Sequence, residues 1–378
     1  MLAFHSPSLM TRDFQEVEEK ESPKLYFPAL DGLRFLAFFL VFTHHHHLFS
    51  ALPYVTFLHT HGWIGVDLFF VLSVYLITKL LTKEFEKTAA IDLTKFFFRR
   101  ILRIWPVYFL LTGLSMAIFF YLHRGFNEEI VFRFLGLITF SDNVFTAIYG
   151  FNPIPFVNHF WSISYEFQLY LLLPFIILFL SRLTPKERVA FISCSFLILL
   201  VARFFLGVFH FSSTAIWVMP ITHFDPILLG ILIGFGDLDS LVNKIPAGFS
   251  GFLGGLLFLI LPCLGNNQFI PMYLLAGLSS SLVLIAVLNT GIWQYFFSHQ
   301  VLVYLGKRSY GLYLFHLFGN GVAAFLIKNL SFLPSGSLAS YCYSLSFTVI
   351  ASILSYQIIE RPFLIRKKKY EFIGTRPV

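Results

Sequence analysis

Ten apolar runs recur along this chain, near 32–50, 62–82, 101–122, 161–181, 189–209, 216–236, 248–264, 271–290, 309–328 and 340–360. Most come close to or exceed the ~20 residues a helix needs to cross a hydrocarbon core of about 30 Å. With 57% hydrophobic and only 12% charged residues, the composition excludes an ordinary soluble domain. The expected fold is all-α, a polytopic membrane bundle of about ten transmembrane helices. The stretch 134–157 is also fairly apolar, but Asp142, Asn143, Asn152, Pro153 and Pro155 interrupt it. It is expected to be a re-entrant or surface loop, with an eleventh span as the alternative.

Lysine and arginine are retained on the cytoplasmic side of membrane proteins. Placing the N-terminus inside puts Lys83, Lys87, Lys95, Arg99, Arg100, Arg103, Arg182, Lys186, Arg188, Lys244, Lys307, Arg308 and the tail Arg366, Lys367, Lys368 and Lys369 on that side. Only Arg124, Arg133, Arg203 and Lys328 fall near the other. Both termini are therefore expected to be cytoplasmic. This bias toward an anionic leaflet also explains most of the net charge of +7, so nucleic acid is not an expected partner and membrane lipids are. Residues 1–24 are polar and carry no charged-then-apolar leader. The expected division is a polar cytoplasmic segment (1–26), a membrane domain (27–365) and a basic tail (366–378), with no linker leading to a second folded unit. Cys194, Cys263 and Cys342 lack metal or disulfide spacing and read as small core hydrophobes.

Within the first run, Arg34 and His45 are separated by eleven positions, about three helical turns or roughly 16 Å along the axis, so they share one face. Ionisable groups at membrane depth usually face a bundle interior or watery cavity and mark function. Histidine titrates near neutrality and is the economical general base. The run His44-His45-His46-His47 resembles a metal site only superficially, since neighbouring helical side chains diverge by about 100°. His44 and His47 could pair, with His59, His61 and Asp67 to hand, but no metal is expected. Arg99, Arg100 and Arg103 open the third helix, and Arg100 and Arg103 share a side. Guanidinium pairs suit phosphate, and headgroup anchoring is the plainer use. Glu166, one turn into the fourth helix, is either a helix-start charge or a group that binds a hydroxylated ligand or orients a histidine. Asp67 and Glu360 are further candidates, although Glu360 beside Arg361 would also suit an interfacial ion pair.

Six segments in one order resemble the acyltransferase-3 family of integral membrane acyltransferases. They are Leu30-Asp31-Gly32-Leu33-Arg34 with His45; Gly62 to Ser73, containing Asp67; Arg99 to Tyr108; Trp161 to Pro174, containing Ser164 and Glu166; Gly306 to His316; and Tyr356 to Phe363, containing Glu360. They span residues 27 to about 365. The resemblance implies transfer of an acyl group, commonly acetyl, from cytoplasmic acyl-CoA to a hydroxyl of a cell-envelope glycan or lipid-linked sugar, in a bacterial inner membrane. Acetyl-CoA would be a co-substrate, with no tightly bound cofactor. Arg99, Arg100 and Arg103 would dock the donor, His45 would act as base, Arg34 would position the donor, and Glu166 would contact the acceptor or His45.

Two departures stand out. Val74 follows Ser73 where the family often has glycine, which could narrow a helix contact or the acyl path. Phe167 follows Glu166 where the family usually pairs two glutamates. Relatives often carry a fused extracytoplasmic hydrolase-like domain; without one the chain is expected to acylate directly or through a separate partner. The rival class is a transporter or flippase that uses the same buried charges as a pathway. Two related halves are not apparent, which favours the enzyme.

Overall fold

A computed structural model describes residues 25–46, 53–123, 125, 127–261, 269–330, 332–334 and 336–374. The N-terminal segment up to residue 24, His47, Arg124, Cys263 and the end of the tail lie outside the described residues. Each of the ten apolar runs contains a helix: α1 (Pro28–His44), α2 (Ile64–Thr88), α3 (Leu93–His123), α4 (Trp161–Leu180), α5 (Pro185–Val208), α6 (Asp225–Phe235), α7 (Ala247–Ile260), α8 (Phe269–Leu288), α9 (Ser309–Asn329) and α10 (Ser337–Ser355). No strand occurs among the described residues. Among the described residues six helices are long and apolar enough to cross a membrane, while α6, α7 and the part Met272–Leu288 of α8 count as shorter apolar helices.

The run 216–236 is broken where one helix was expected. A single turn and a half (Ser213–Val218) is followed by irregular chain, and α6 restarts at Asp225 with Pro226 in its first turn. Pro220 and Pro226 explain the break, because proline lacks the N–H of the helical ladder and clashes with the preceding turn. The stretch 134–157 forms two short helices, Glu128–Ile138 and Asp142–Tyr149, too short for an eleventh span. Arg133 ties them together, its guanidinium donating to the Phe145 and Gly150 carbonyls at 2.9 and 2.6 Å. Gln168 of α4 holds the pair by donating to the Phe140 carbonyl at 2.8 Å. Phe140 itself is left-handed (φ +54°), a strained setting for a bulky residue, and rings of Tyr108 and Phe167 stack on it at 4.5 and 4.1 Å.

α1 lies at the centre, packed against α2, α8, α9 and the short segments Ile292–Phe297 and Gln300–Gly306. Glycine permits these close approaches: a Cβ on Gly306 would fall 1.7 Å from the Asp31 carbonyl oxygen, and one on Gly65 would fall 2.3 Å from that of Ala37. Gly306→Ala should therefore push Gln300–Gly306 off α1 and destabilise the protein by about 1–3 kcal/mol, read as a lower melting temperature in detergent. Val74 packs on Gly230 of α6, whose missing side chain makes the room that Val74 takes up. The valine thus meets α6 and does not line the cavities around Ser73. Cys194 and Cys342 are exposed on the outer faces of α5 and α10. This corrects the expectation of core positions: both sit on helix faces that turn away from the bundle. The described chain ends meet, Leu25 N–H donating to the Gly374 carbonyl at 2.8 Å.

Candidate functional site

Two adjoining cavities run through the centre of the bundle. The outer one, about 110 Å³, opens where the chain ends meet and is lined by Tyr26, Asp31, Arg34, Ser73, Arg100, Arg103, Tyr170 and Lys367. The inner one, about 60 Å³, shares Arg34, Ser73, Arg103 and Tyr170 and adds Phe69, Phe70, Ser162, Glu166, Tyr310 and Tyr313. α1, α2, α3, α4 and α9 thus each contribute a polar or aromatic wall. Arg100 and Arg103 leave α3 on the cavity side, as their three-residue spacing requires. Arg100 lies over the Tyr170 ring, 5.3 Å from its centroid. Tyr170 in turn donates its hydroxyl to Glu166, which orders one wall from arginine to carboxylate. Asp31 accepts from the Tyr26 hydroxyl at 3.1 Å.

Beyond Tyr313 lies a group of imidazoles. α1 stops at His44, so His45 occupies the helix C-cap (φ −87°, ψ 3°) and not the helix interior. Its Nδ1 is 3.0 Å from the Val41 carbonyl. A carbonyl only accepts, so Nδ1 carries the proton and Nε2 keeps its lone pair. The His316 ring lies 4.9 Å from His45, and its Nδ1 likewise donates to the Tyr313 carbonyl at 2.6 Å. His159 is the third, its centroid 4.4 Å from His316 and 6.4 Å from His45. Ser162 gives its one proton to the His159 carbonyl at 2.9 Å. The 2.6 Å contact between Ser162 and Tyr313 is therefore donated by the tyrosine. Tyr313 is the side chain common to the inner cavity and the imidazole group.

Other sequence candidates stand away from the cavities. Arg99 is buried against Glu84 at 3.6 Å and donates to the Tyr370 carbonyl at 2.5 Å. Tyr108 donates to the Leu137 carbonyl at 2.9 Å and braces the strained Phe140. Trp161 meets Trp217 edge-on at 5.7 Å, and Ser164 is fully buried in the first turn of α4. Asp67 is fully buried, 3.1 Å from His223 Nε2. Glu360 closes a π-helical turn, Tyr356–Glu360, and faces inward against Gly311 of α9. Glu166 reaches Tyr170 and the inner cavity, while His44, His159, His316 and Asn320 are among the residues that contact His45. Among the described residues no group of three His, Cys, Asp or Glu side chains is placed to hold a metal ion.

Four residues of the site, His159, Ser162, Tyr313 and Lys367, are not among those that the sequence singles out as candidates. His159 stands two residues before Trp161, and a second buried imidazole beside that segment was a readable signal. The buried ion pair Arg203–Asp225, 2.5 Å apart with both side chains fully enclosed, had none, since the two residues are joined only by the break before α6.

Outside the spans, Asp142 is buried and accepts from Asn152 at 2.7 Å. Burial raises its pKa to about 6, against the smaller opposing pull of Asn152 and Arg133. A carboxyl whose folded value lies above its unfolded one holds more protons when folded, so this loop is expected to be most stable below about pH 4 and to lose on the order of 3 kcal/mol as pH rises through 6. Hydrogen exchange of residues 142–152 between pH 5 and 7 checks this: Asp142→Asn should flatten the dependence.

Residues 27–357 match the family model of the acyltransferase-3 domain. The chain belongs to that family of acyltransferase domains. It is similar to the O-acetyltransferase OatA of Staphylococcus aureus, in strains NCTC 8325 / PS 47 and COL alike, at 29% identity over 402 residues, covering 97% of this chain and 61% of the relative. The chain thus spans about three fifths of the length of these relatives. No solved structure matches it.

Proposed function

We propose that the protein is a membrane-bound O-acyltransferase that moves an acyl group, acetyl above all, from cytoplasmic acyl-CoA to a hydroxyl of a cell-envelope glycan or lipid-linked saccharide. The observation that carries this reading is the pair of adjoining cavities leading from Arg100 and Arg103 past Arg34 to Glu166 and Tyr313, with the imidazoles of His316 and His45 next. The basic mouth is taken as the cytoplasmic end, with both chain termini there and the membrane being the inner one. The names of the relatives support acetyl transfer to oxygen.

In this reading the donor phosphates stay at the mouth, held by paired guanidinium donors. The two cavities, about 110 and 60 Å³, would take the acyl end of the donor while its nucleotide stays at the mouth. Arg34 and Ser73, common to both cavities, hold the chain or its thioester carbonyl, where a fixed positive charge stabilises the developing oxyanion. The acceptor hydroxyl approaches from the opposite face and gives its proton to His45 Nε2 as its oxygen bonds to the carbonyl carbon. The C–S bond then breaks, and the proton passes from the imidazole to the departing CoA thiolate. Glu166, anchored by Tyr170, orients the acceptor. The route from the inner cavity to His45 passes Tyr313, so its ring must turn aside for the thioester to arrive.

The test is acyl transfer by purified protein in liposomes loaded with radiolabelled acetyl-CoA, following release of CoA and label in a supplied glycan. Release with labelled glycan supports the reading. Absence of any CoA binding would move the assignment to a transporter using the same buried charges, and binding without turnover would point to a separate extracytoplasmic partner.

A further inference from the structure

The chain beyond residue 357, past the region matched by the family model, folds back over the basic mouth. After the π-helical turn it forms Arg361–Lys367 and Lys368–Tyr370. Three contacts fix it: Arg99 donates to the Tyr370 carbonyl at 2.5 Å, the Tyr370 ring stacks on Phe98 at 5.2 Å, and the Gly374 carbonyl accepts from Leu25 N–H. This anchoring places Lys367 in the wall of the same cavity as Arg100 and Arg103. Lys367 Nζ lies 3.1 Å from Glu371 Oε1, one turn further on, with the two side chains only 15% and 11% exposed. Lys367 and Glu371 also line a small adjoining cavity of about 30 Å³ with Glu84, Arg99 and Arg100.

We propose that Lys367 is a third cationic ligand for the phosphates of the acyl donor, and that Glu371 holds its ammonium in place until the phosphate takes it over. The inference rests on the acyl-CoA reading above. Arg100 and Arg103 lie on one helix and reach an anion from one side; Lys367 comes from a different element and closes the site around it. A phosphate carries more charge than a carboxylate and offers more acceptor oxygens, so an ammonium facing both favours the phosphate. Once the ammonium has moved, Glu371 opposes the bound anion by like-charge repulsion. The lysine therefore raises donor affinity and the glutamate lowers it, whereas in a purely structural ion pair both would act alike.

The experiment measures binding of radiolabelled acetyl-CoA to full-length protein in phosphatidylcholine nanodiscs, where no anionic lipid competes, for wild type, Lys367→Ala, Lys367→Arg, Glu371→Gln and Arg103→Ala. Lys367→Ala is expected to weaken binding about tenfold, Lys367→Arg to stay within about threefold of wild type, and Glu371→Gln to tighten binding by about twofold or more. Equal weakening by Lys367→Ala and Glu371→Gln would make the pair a strut and overturn the proposal. So would unchanged binding by Lys367→Ala where Arg103→Ala weakens it, which leaves the donor reading standing. Wild type that binds no acetyl-CoA would overturn both. A Lys367→Ala effect confined to phosphatidylglycerol nanodiscs would assign the lysine to lipid headgroups and overturn the proposal as well.

Discussion

Replacing His45 with alanine should reduce acyl transfer by about 10²- to 10⁴-fold, the usual range for a lost general base, while acetyl-CoA affinity stays within about twofold of wild type. The separation follows from position. His45 sits at the end of α1, about 16 Å along the axis from Arg34, and the two cavities proposed for the donor are lined without it. Its Nδ1 proton is committed to the Val41 carbonyl, so Nε2 is the nitrogen that would take the proton in the proposed reaction. Neighbouring histidines provide the control. His44 gives its Nδ1 to the His59 carbonyl at 2.6 Å, and His46 packs on Tyr341, so alanine at either should leave most activity. Turnover by the His45 variant within a few-fold of wild type, in the liposome assay with labelled product counted, would sink the base assignment. A common loss at His44, His45 and His46 would point to collapse of the helix end.

The site was legible where a polar side chain interrupts an apolar helix and illegible where only the folded chain gives a residue its neighbours. Arg34, Ser73, Arg100, Arg103 and Glu166 were each readable as polar groups in apolar helices, and all five line the cavities. Arg99 belongs to the same basic run, yet it turns toward Glu84 and Tyr370, because residues one apart on a helix diverge by about 100°. Lys367 read as one of several tail lysines. What distinguishes it is the return of the C-terminal segment onto Leu25, and no local pattern encodes that contact. His159 entered through Phe156, whose left-handed backbone and packing against Gly321 and Phe318 fold the 150–160 segment onto α9.

Hydropathy located α1 to α10 because a ~20-residue apolar run has few other stable forms in a membrane. It misjudged the run 216–236, since summed hydropathy does not register a backbone break at Pro220 and Pro226. It also extended α1 past His44, where Thr43 and the histidines give way to a C-cap. The loop at 134–157 was identified from its polar interruptions, and these are the residues that build it: Asp142 pairs with Asn152, and Asn143 meets Gln168.

Removal of Arg203 should have the largest effect on stability. Arg203 of α5 and Asp225 at the start of α6 form an ion pair at 2.5 Å with both side chains fully enclosed, beside Asp67 and His223, themselves 3.1 Å apart. Taking away one partner strands the other charge where neither water nor lipid can solvate it, at a typical cost of about 3–5 kcal/mol. Arg203→Met keeps the volume and loses the charge, and it should lower the melting temperature in detergent substantially. Arg203→Met with Asp225→Asn should regain most of the loss, because a buried pair replaced as a unit is often close to neutral. A single variant as stable as wild type would mean that the pair is hydrated. The loss should also reach the site. α6 packs through Gly230 and Gly234 onto Val74 and Thr78 of α2, and the same helix carries Phe69, Phe70 and Ser73 into the cavities. An α6 unseated at Asp225 therefore loosens the wall along which the acyl chain would run, and donor affinity should fall together with the melting temperature.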